Sequence, residues 1–203
     1  MKNKFVVGIG GLARAGKDTC SHFLIKALAR RGLAAERMAL ADALKVEIRP
    51  ALIAKYGIDV LCCTPDQKEK IRPELVALGA ERRLQSKGTF WTDILDREIE
   101  KSASRVIIVP DIRYNLYPHD EVQWVKKRRG GLLLHVKRFL EKDGAREYLT
   151  PPNEDERSND PKVRSEADIK FEWPTLPWNT LDERYIGFFD FVADYIHERL
   201  KNS

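Results

Sequence analysis

The residues of this chain that most clearly indicate chemistry form a glycine-rich loop near its start. Segment 11–17 reads G-L-A-R-A-G-K and fits the pattern G-x-x-x-x-G-K. The glycines let successive backbone N–H groups point at one anion, and a helix that begins near Lys17 adds the positive end of its dipole. The loop therefore predicts a phosphate site with the Lys17 ammonium beside it. The alternative is an ordinary strand-to-helix turn with an exposed lysine.

The two residues after Lys17 bear on metal binding. The commonest form of the motif has Ser or Thr directly after the lysine, whereas here Asp18 intervenes and Thr19 supplies the hydroxyl. We expect the loop to hold the phosphates of ATP and Thr19 to serve Mg²⁺. The residues assigned to the phosphate site are Gly11, Ala13, Arg14, Ala15, Gly16, Lys17, Asp18 and Thr19.

A second candidate for the magnesium site follows the most apolar segment. Segment 105–109 has a Val-Ile-Ile-Val core and leads into Pro110 and Asp111, so a carboxylate stands at the carboxyl end of a predicted buried strand. Ligands of parallel α/β sheets bind at such ends, and Mg²⁺ prefers carboxylate oxygens. An aspartate that only caps a turn is the alternative. Arg113 predicts either a bidentate phosphate contact or a surface ion pair.

Alternating strand and helix patterns surround these residues. Alternation of this kind predicts a mainly parallel sheet with helices on both faces, here within one domain over residues 1–203. Pro50 is expected to interrupt or restart the second helix. The predicted strands lie near 5–9, 35–40, 105–109, 132–137 and 168–173, and the predicted helices near 17–32, 41–48, 64–85, 89–102, 120–129 and 180–200.

Three helix starts carry capping signals. Segment 64–67 combines an N-cap Thr64, a proline at the first helical position and a glutamine at the third. Thr89 is the expected N-cap of the next helix. Segment 180–183 predicts a capping box for the last helix, whose expected core face is Tyr185, Phe188, Phe189, Val192, Ile196 and Leu200.

Segment 139–166 differs from the rest of the chain. It is highly charged, contains Pro151-Pro152 and shows no apolar periodicity. Long segments of this kind inside a compact domain are usually functional lids or disordered. We therefore expect a mobile loop that acts as a lid.

The composition favours a cytoplasmic protein with anionic ligands. The 203 residues are 43% hydrophobic and 33% charged, with a net charge of +5, which allows a sizeable core and favours anionic partners. No apolar run approaches the roughly 20 residues that a membrane-spanning helix needs. The basic run 126–129 is expected to complement a helix dipole rather than to bind nucleic acid.

Cysteine and histidine do not predict a metal site. The three cysteines lack C-x-x-C spacing and are an odd number, so reduced, mostly buried thiols are expected. The four histidines are scattered, and structural or surface roles are expected for them. These residues are Cys20, Cys62, Cys63, His22, His119, His135 and His197.

Several segments together resemble phage-type deoxynucleoside monophosphate kinases, within the P-loop nucleoside monophosphate kinase-like family. Segment 11–19 is similar to that family's phosphate loop, in which Gly-Lys-x-Thr is found and the threonine serves the magnesium. The similarity extends in order over nearly the whole chain. The other similar segments are 41–45, 72–85, 90–93, 109–114, 136–138 and 164–166.

The resemblance implies a fold and an activity. The implied fold is a P-loop NTPase of three α/β/α layers, with a five-stranded parallel sheet, an acceptor-binding helical insertion at about 41–103 and a lid at about 139–166. The implied activity moves the γ-phosphate of ATP onto a deoxynucleoside monophosphate, with Mg²⁺. The implied partners are these nucleotides, without stable nucleic-acid or membrane binding, and homodimerisation is left open.

The resemblance also suggests roles for single residues. Lys17, Arg113 and Arg138 are assigned to catalysis, and Thr19 and Asp111 to Mg²⁺. Trp91 is expected to stack on the acceptor base, with a core position as the alternative. The residues assigned to the acceptor are Asp42, Lys45, Arg72, Trp91, Arg113 and Arg164, and the lid candidates are Arg146, Arg157 and Arg164.

Departures from the family pattern leave alternatives open. Three residues, 115–117, intervene before Pro118, so Glu121 is an uncertain match to the family's Pro-Asn-Glu. Segment 173–179 replaces a shorter turn, so contacts to the ATP base are not transferred there. The rival interpretations are a P-loop kinase of another metabolite, such as a coenzyme precursor or phosphomevalonate, and a nucleic-acid-stimulated ATPase. If the source is viral, the host cytoplasm is the expected location.

Overall fold

The computed structural model describes residues 4–175 and 183–202, which contain one sheet. Five strands run parallel in the order β2-β3-β1-β4-β6, and β5 pairs antiparallel with the outer end of β4. The predicted five-stranded parallel sheet is therefore confirmed. The strands are β1 (Phe5–Gly10), β2 (Ala35–Arg37), β3 (Val106–Ile112), β4 (Leu132–Lys142), β5 (Ala145–Tyr148) and β6 (Ile169–Pro174).

Seven helices are described around this sheet. Helix α5 is short and continues into one π-helical turn, Trp124–Arg128, where the Arg129 N–H donates to the Trp124 carbonyl at 2.9 Å. The helices are α1 (Lys17–Ala29), α2 (Leu40–Tyr56), α3 (Pro65–Gln85), α4 (Phe90–Lys101), α5 (Glu121–Gln123), α6 (Glu154–Glu166) and α7 (Glu183–Lys201). None of the helices in the described part of the chain is long and apolar enough to cross a bilayer.

The core has two apolar layers, one on each face of the sheet. Alternate residues of a strand point to opposite faces, so Val7 packs with α1 and α7 while Val6 packs with α4 and α5. The predicted core face of α7 is confirmed, with Phe189 and Val192 fully buried. The capping box predicted at 180–183 falls mostly outside the described residues.

Predicted helix starts can be compared with the observed caps. The capping box of α3 is confirmed, because Thr64 Oγ1 accepts from the Gln67 N–H at 3.3 Å and Gln67 Oε1 accepts from the Thr64 N–H at 2.9 Å. Thr89 occupies the N-cap position of α4 without a side-chain cap. The hydroxyl oxygen of Ser86 accepts from the Phe90 N–H at 3.0 Å instead.

The predicted bounds of the second strand and of the second helix are wrong. The second strand ends at Arg37, because α2 already begins at Leu40. Pro50 does not interrupt α2, which runs through it to Tyr56. The proline ring is exposed, and Ile48 before it and Leu52 after it are buried with Ile71 of α3, so packing on both sides of the proline holds the helix together.

The prediction that 139–166 is an irregular loop is also wrong. The segment forms the end of β4, strand β5 and the 13-residue helix α6. Its regularity escapes an apolar pattern because the inward face of α6 carries Glu156, Asn159 and Val163, of which only one is apolar. Strand β5 is exposed throughout and depends on backbone pairing with β4.

The basic run 126–129 has a structural role. Lys126 pairs with Asp168 at 3.0 Å, and Arg128 pairs with Asp93 and Asp96 at 2.6 and 2.7 Å. These ion pairs tie the π-helical turn to its neighbours. Among the cysteines, Cys20 is buried, Cys63 is half-buried and Cys62 is exposed. The prediction of buried thiols is therefore confirmed only for Cys20.

Candidate phosphate and acceptor site

The glycine-rich loop connects β1 to α1 in a conformation that requires its glycines. Gly11 and Gly16 have φ angles of +135° and +90°, a region that residues with a Cβ rarely occupy. A Cβ on Gly11 would lie 2.3 Å from the Val136 carbonyl oxygen, and one on Gly16 would lie 2.4 Å from a ring carbon of Trp173. Neighbouring strands therefore approach the loop so closely that only glycine fits at these positions.

Side chains from other elements brace this loop. The Trp173 indole N–H donates to the Ala15 carbonyl at 2.9 Å, and Arg138 Nη1 donates to the Arg14 carbonyl at 3.3 Å. Carbonyl oxygens of the loop are thus held from outside. A loop that binds phosphate uses its N–H groups, so bonds to its carbonyl oxygens do not compete with phosphate for those donors.

Lys17 lies against the loop. Its ammonium donates to the carbonyl oxygens of Gly11 and Leu12 at 2.7 and 2.8 Å. Burial and, to a smaller extent, the neighbouring Arg113 guanidinium lower the pKa of Lys17 from 10.5 to about 8, against the opposing effect of the Glu156 and Asp111 carboxylates. Lys17 is therefore a desolvated cation to which a bound anion would return electrostatic stabilisation.

Asp111 is the second-last residue of strand β3 and, contrary to the prediction, does not lie beyond the end of the strand. Its oxygens accept from the backbone N–H groups of Leu40 and Ala41 at 3.1 and 2.8 Å, so it caps the start of α2. Burial raises the pKa of Asp111, and the two N–H donors oppose that effect. The turn-capping alternative therefore describes one role of this carboxylate.

The fit of Asp111 and Thr19 to Mg²⁺ can be judged from their donor atoms. A carboxylate has about four lone-pair positions, so Asp111 keeps acceptor capacity after two N–H contacts. Thr19 lies in the first turn of α1. Across the described residues no group of three or more His, Cys, Asp or Glu side chains could hold a metal alone. This donor set suits Mg²⁺ that is carried mainly by phosphates.

The turn after β3 presents Arg113. Glu121 Oε2 accepts from the backbone N–H groups of Arg113 and Tyr114 at 2.6 and 3.2 Å, and burial raises the pKa of Glu121 to about 8. The Arg113 guanidinium is 46% exposed and lies 3.4 Å from a Glu156 oxygen. Glu121, the uncertain match in the sequence, therefore positions the backbone of Arg113.

A buried ion pair lies behind the same turn. Arg83 of α3 pairs at 2.5 Å with Asp120, whose side chain is 0% exposed. The Arg83 guanidinium also lies 3.8 Å from the centre of the Tyr114 ring. Asp120 accepts in addition from the Leu116 N–H at 2.8 Å. This contact fixes α3 to the Arg113 turn, and sequence analysis gave no sign of it because its two charges are 37 residues apart.

A cluster of paired charges lies beside the glycine-rich loop. Arg37 at the end of β2 donates to Asp18 at 2.9 Å and to Asp42 at 3.3 Å, and Lys45 donates to Asp42 at 2.9 Å. The cluster joins the first turns of α1 and α2 beside the loop. Sequence analysis named Asp18, Asp42 and Lys45 but missed Arg37, because a short strand with one arginine has no motif.

Two residues predicted for the acceptor differ in their positions. Arg72 is an exposed residue of α3 that pairs with Glu69 at 2.5 Å, and the Glu156 carboxylate also contributes to raising its pKa. The stacking prediction for Trp91 is wrong. Its side chain is 6% exposed, packs in the core and donates to the Gly79 carbonyl at 3.4 Å, as the amphipathic pattern of α4 allows.

The arginines predicted for the lid also differ in their positions. Arg164 points to the sheet, where it donates to Glu172 at 2.9 Å and lies 3.3 Å from His135 Nδ1, and its assignment to the acceptor stays a prediction. Arg146 lies over the Phe139 ring at 4.5 Å. Arg157 is exposed and lines a cavity of about 210 Å³ together with Leu12, Ala15, Val136, Lys137, Arg138, Tyr148, Leu149, Pro151, Asp160 and Pro161.

Glu156 of α6 is a further site residue that was not predicted from the sequence. One oxygen accepts from the Ala13 N–H of the loop at 2.7 Å, and the other faces Arg113. Its side chain is almost completely buried. A carboxylate thus occupies an N–H donor of the phosphate loop, and no sequence motif signals it.

The chain was compared with protein families, curated proteins and solved structures. No protein-family model and no curated protein matches the chain. Similar solved structures include an APS kinase from Mycobacterium tuberculosis, with 13% identity, all of both chains covered and a TM-score of 0.38. A shikimate kinase from Acinetobacter baumannii has 13% identity, coverage of 99% of this chain and 95% of that chain, and a TM-score of 0.36.

A gluconokinase from Sinorhizobium meliloti is similar at the same level, with 12% identity, coverage of 98% of this chain and 99% of that chain, and a TM-score of 0.37. Sequence identities and TM-scores this low do not assign a role to this chain. Its own strand order gives it a mainly parallel α/β fold in which the glycine-rich loop lies between the central strand β1 and helix α1, the context in which the G-x-x-x-x-G-K pattern binds phosphate.

Proposed function

We propose that the protein is an ATP-dependent kinase that phosphorylates a deoxynucleoside monophosphate and releases ADP. The observation that carries the proposal is the braced loop with the desolvated Lys17 ammonium against Gly11 and Leu12, facing Arg113 across the carboxyl ends of β1 and β3. Phosphoryl transfer needs aligned phosphates and neutralised charge more than covalent chemistry. The residues around the loop provide cations for both purposes.

The donor side is assigned to the loop and α1. The loop N–H groups and Lys17 hold the ATP phosphates, with the first turn of α1 contributing its dipole. Thr19 and Asp111 are the residues for Mg²⁺, which would neutralise charge on the phosphates. Arg113 approaches from the turn after the neighbouring strand β3, where it stabilises charge on the transferred group. Arg138 keeps the loop in shape through Arg14, and a direct phosphoryl contact for it stays a prediction.

The acceptor side is assigned to the cations at the end of β2, at the start of α2 and on α3. Lys45, Arg72 and Arg37 are the cations there, each paired with a carboxylate in the structure. An acceptor phosphate would exchange these partners for its own oxygens, so binding there is expected to weaken as salt increases. The choice of a deoxynucleoside monophosphate rests on the resemblance of segments 41–45, 72–85 and 109–114 to that kinase family.

An acceptor panel tests the proposal. The wild-type protein is incubated with Mg-ATP and dAMP, dGMP, dCMP or dTMP, and ADP release is compared with that for phosphomevalonate and shikimate. Phosphate transfer to at least one deoxynucleotide is expected. Transfer only to another metabolite would retain the kinase and reject the deoxynucleotide, whereas DNA-stimulated hydrolysis without any phosphorylated product would reject both.

Two variants test the residue roles. Lys17→Met is expected to lose turnover and to weaken ATP binding, while Arg113→Ala is expected to lose turnover with ATP binding kept. The matched control is Lys101→Met, on the far end of α4, where Lys101 is exposed and paired only with Glu98 among its described contacts. Near-normal turnover in Lys17→Met would show that the donor site is placed wrongly.

A further inference from the structure

Glu156 occupies the phosphate loop as an anion supplied by the protein itself. Its two oxygens contact the Ala13 N–H at 2.7 Å and the Arg113 guanidinium at 3.4 Å, so one carboxylate bridges the loop and the arginine opposite it. The side chain is 10% exposed. A carboxylate so far from water is kept there by its partners, and both partners are groups that the proposed function assigns to nucleotide phosphate.

The surrounding charge also marks this position as an anion site. The Glu156 carboxylate opposes the lowering of the Lys17 pKa by burial, and it adds to the effect of Glu69 in raising the pKa of Arg72 on α3. Cations from three separate elements therefore face one carboxylate. A nucleotide phosphate that enters the same position would meet a negative charge already bound there, and like charges this close cannot both remain.

Helix α6 is built so that its two ends can behave differently. Its second half is held by the core, since Val163 is 1% exposed and packs with the second apolar layer, and Arg164 bonds Glu172 of β6. Pro161 lies between this half and Glu156, and it cannot donate the helical hydrogen bond to residue 157. Proline positions of this kind are where helices bend.

The first turns of α6, residues 154–158, make few of the described hydrogen bonds and ion pairs to the rest of the protein, whereas Asp160 bonds His135 Nε2 of β4 at 2.8 Å. Asn153 caps it by accepting from the Glu156 N–H at 2.8 Å, and Asp155 accepts from the Tyr114 hydroxyl at 2.6 Å. Glu154 and Arg157 are exposed and pair with each other at 3.5 Å. The described hydrogen bond from these turns to the phosphate loop is that of Glu156 with the Ala13 N–H. Withdrawal of the Glu156 side chain would break this bond and the contact with Arg113.

We propose that Glu156 is a latch: it holds α6 on the empty phosphate loop, and nucleotide phosphates displace it, which releases Arg113 toward the transferred group. This inference rests on the proposed function, since it requires that the loop bind nucleotide. The step involves no covalent change. One anion replaces another on the Ala13 N–H and the Arg113 guanidinium.

Nucleotide affinity without turnover tests the latch. Calorimetry with the magnesium complex of the non-hydrolysable analogue AMP-PNP is done on wild type, Glu156→Gln and Glu156→Ala, with the exposed Glu154 on the same turn changed to Gln as the matched control. Removal of the competing charge is expected to tighten binding about tenfold in both Glu156 variants, the size of one charge-assisted hydrogen bond. Glu154→Gln is expected to bind like wild type.

The contrary outcomes separate the latch from the proposed function. Unchanged or weaker binding in both Glu156 variants overturns the latch and leaves the kinase in place. Loss of turnover with unchanged binding also overturns it, because Glu156 would then serve the transfer step rather than compete with the nucleotide. If wild type and all variants fail to bind the analogue, the proposed function itself fails. Glu156→Gln preserves size and gives the result should Glu156→Ala not fold.

A second measurement follows the helix directly. Amide hydrogen exchange in wild type is expected to increase over 154–160 when the analogue binds, with no increase over 162–166. In Glu156→Gln the exchange over 154–160 is expected to be high before the analogue is added. Slower exchange over 154–160 in the bound wild type would mean that α6 closes on the nucleotide with Glu156 in place, and would overturn the latch.

Discussion

Replacement of Lys17 by Met is expected to stabilise the free protein at neutral pH, although it removes the central cation of the proposed site. Burial lowers the pKa of Lys17 from 10.5 to about 8. At 1.36 kcal/mol for each tenfold change in proton affinity, this difference corresponds to roughly 3 kcal/mol of cost for keeping the lysine charged. Loss of its bonds to Gly11 and Leu12 offsets part of that gain. A net stabilisation of about 1–2 kcal/mol is expected.

The pH dependence gives the sign of the effect. Below pH 8 the lysine is charged in the folded and the unfolded protein, so the full cost is present. Between about pH 8 and 10.5 the unfolded protein binds more protons, so the stability contributed by this group rises with pH. The advantage of Lys17→Met over wild type should therefore be largest at pH 7 and should shrink toward pH 10.

Urea unfolding of both proteins at pH 7, 8, 9 and 10 measures this difference as a free energy of unfolding. Lys101→Met, at an exposed lysine, controls for the loss of a surface charge. A variant that is less stable than wild type at pH 7, or whose advantage does not change with pH, would refute the reasoning that the ammonium is held at an electrostatic cost.

Three further predictions follow from the packing. Gly16→Ala should abolish nucleotide binding measured by calorimetry, because the new Cβ would lie 2.4 Å from Trp173; Gly144→Ala, in the open β4–β5 turn, is the control. Arg83→Ala should lower the free energy of unfolding by about 3–5 kcal/mol in urea, because Asp120 would stay buried without its partner. Trp91→Ala should cost about 3–5 kcal/mol as a core cavity, while the ranking of acceptors in the ADP-release assay stays the same.

Local signals predicted much of the fold. The strand runs at β1, β3 and β6 and the capping box of α3 were readable because each depends on neighbours within a few residues. The phosphate loop was readable for the same reason, since its glycines are required by backbone angles in one short segment. Contacts between distant segments were not readable in this way.

The parts that could not be predicted are those where a charge faces inward. Helix α6 turns Glu156 and Asn159 toward the protein, so its pattern resembles that of a solvated loop. Trp91 could be a platform or a core residue at the same spacing, and only the fold of α3 over it decides. Arg37 and Glu121 take their roles from partners in other elements. A sequence shows charges but not their partners.

The indole of Trp173 has an experimental consequence. It is buried, bonds the Ala15 carbonyl and touches Gly16, so a natural chromophore stands against the backbone that the proposed ligand would contact. Any rearrangement of that backbone alters the polarity and hydrogen bonding of the ring. Emission from this one side chain, identified by comparison with Trp173→Phe, would therefore record occupancy in real time without a label.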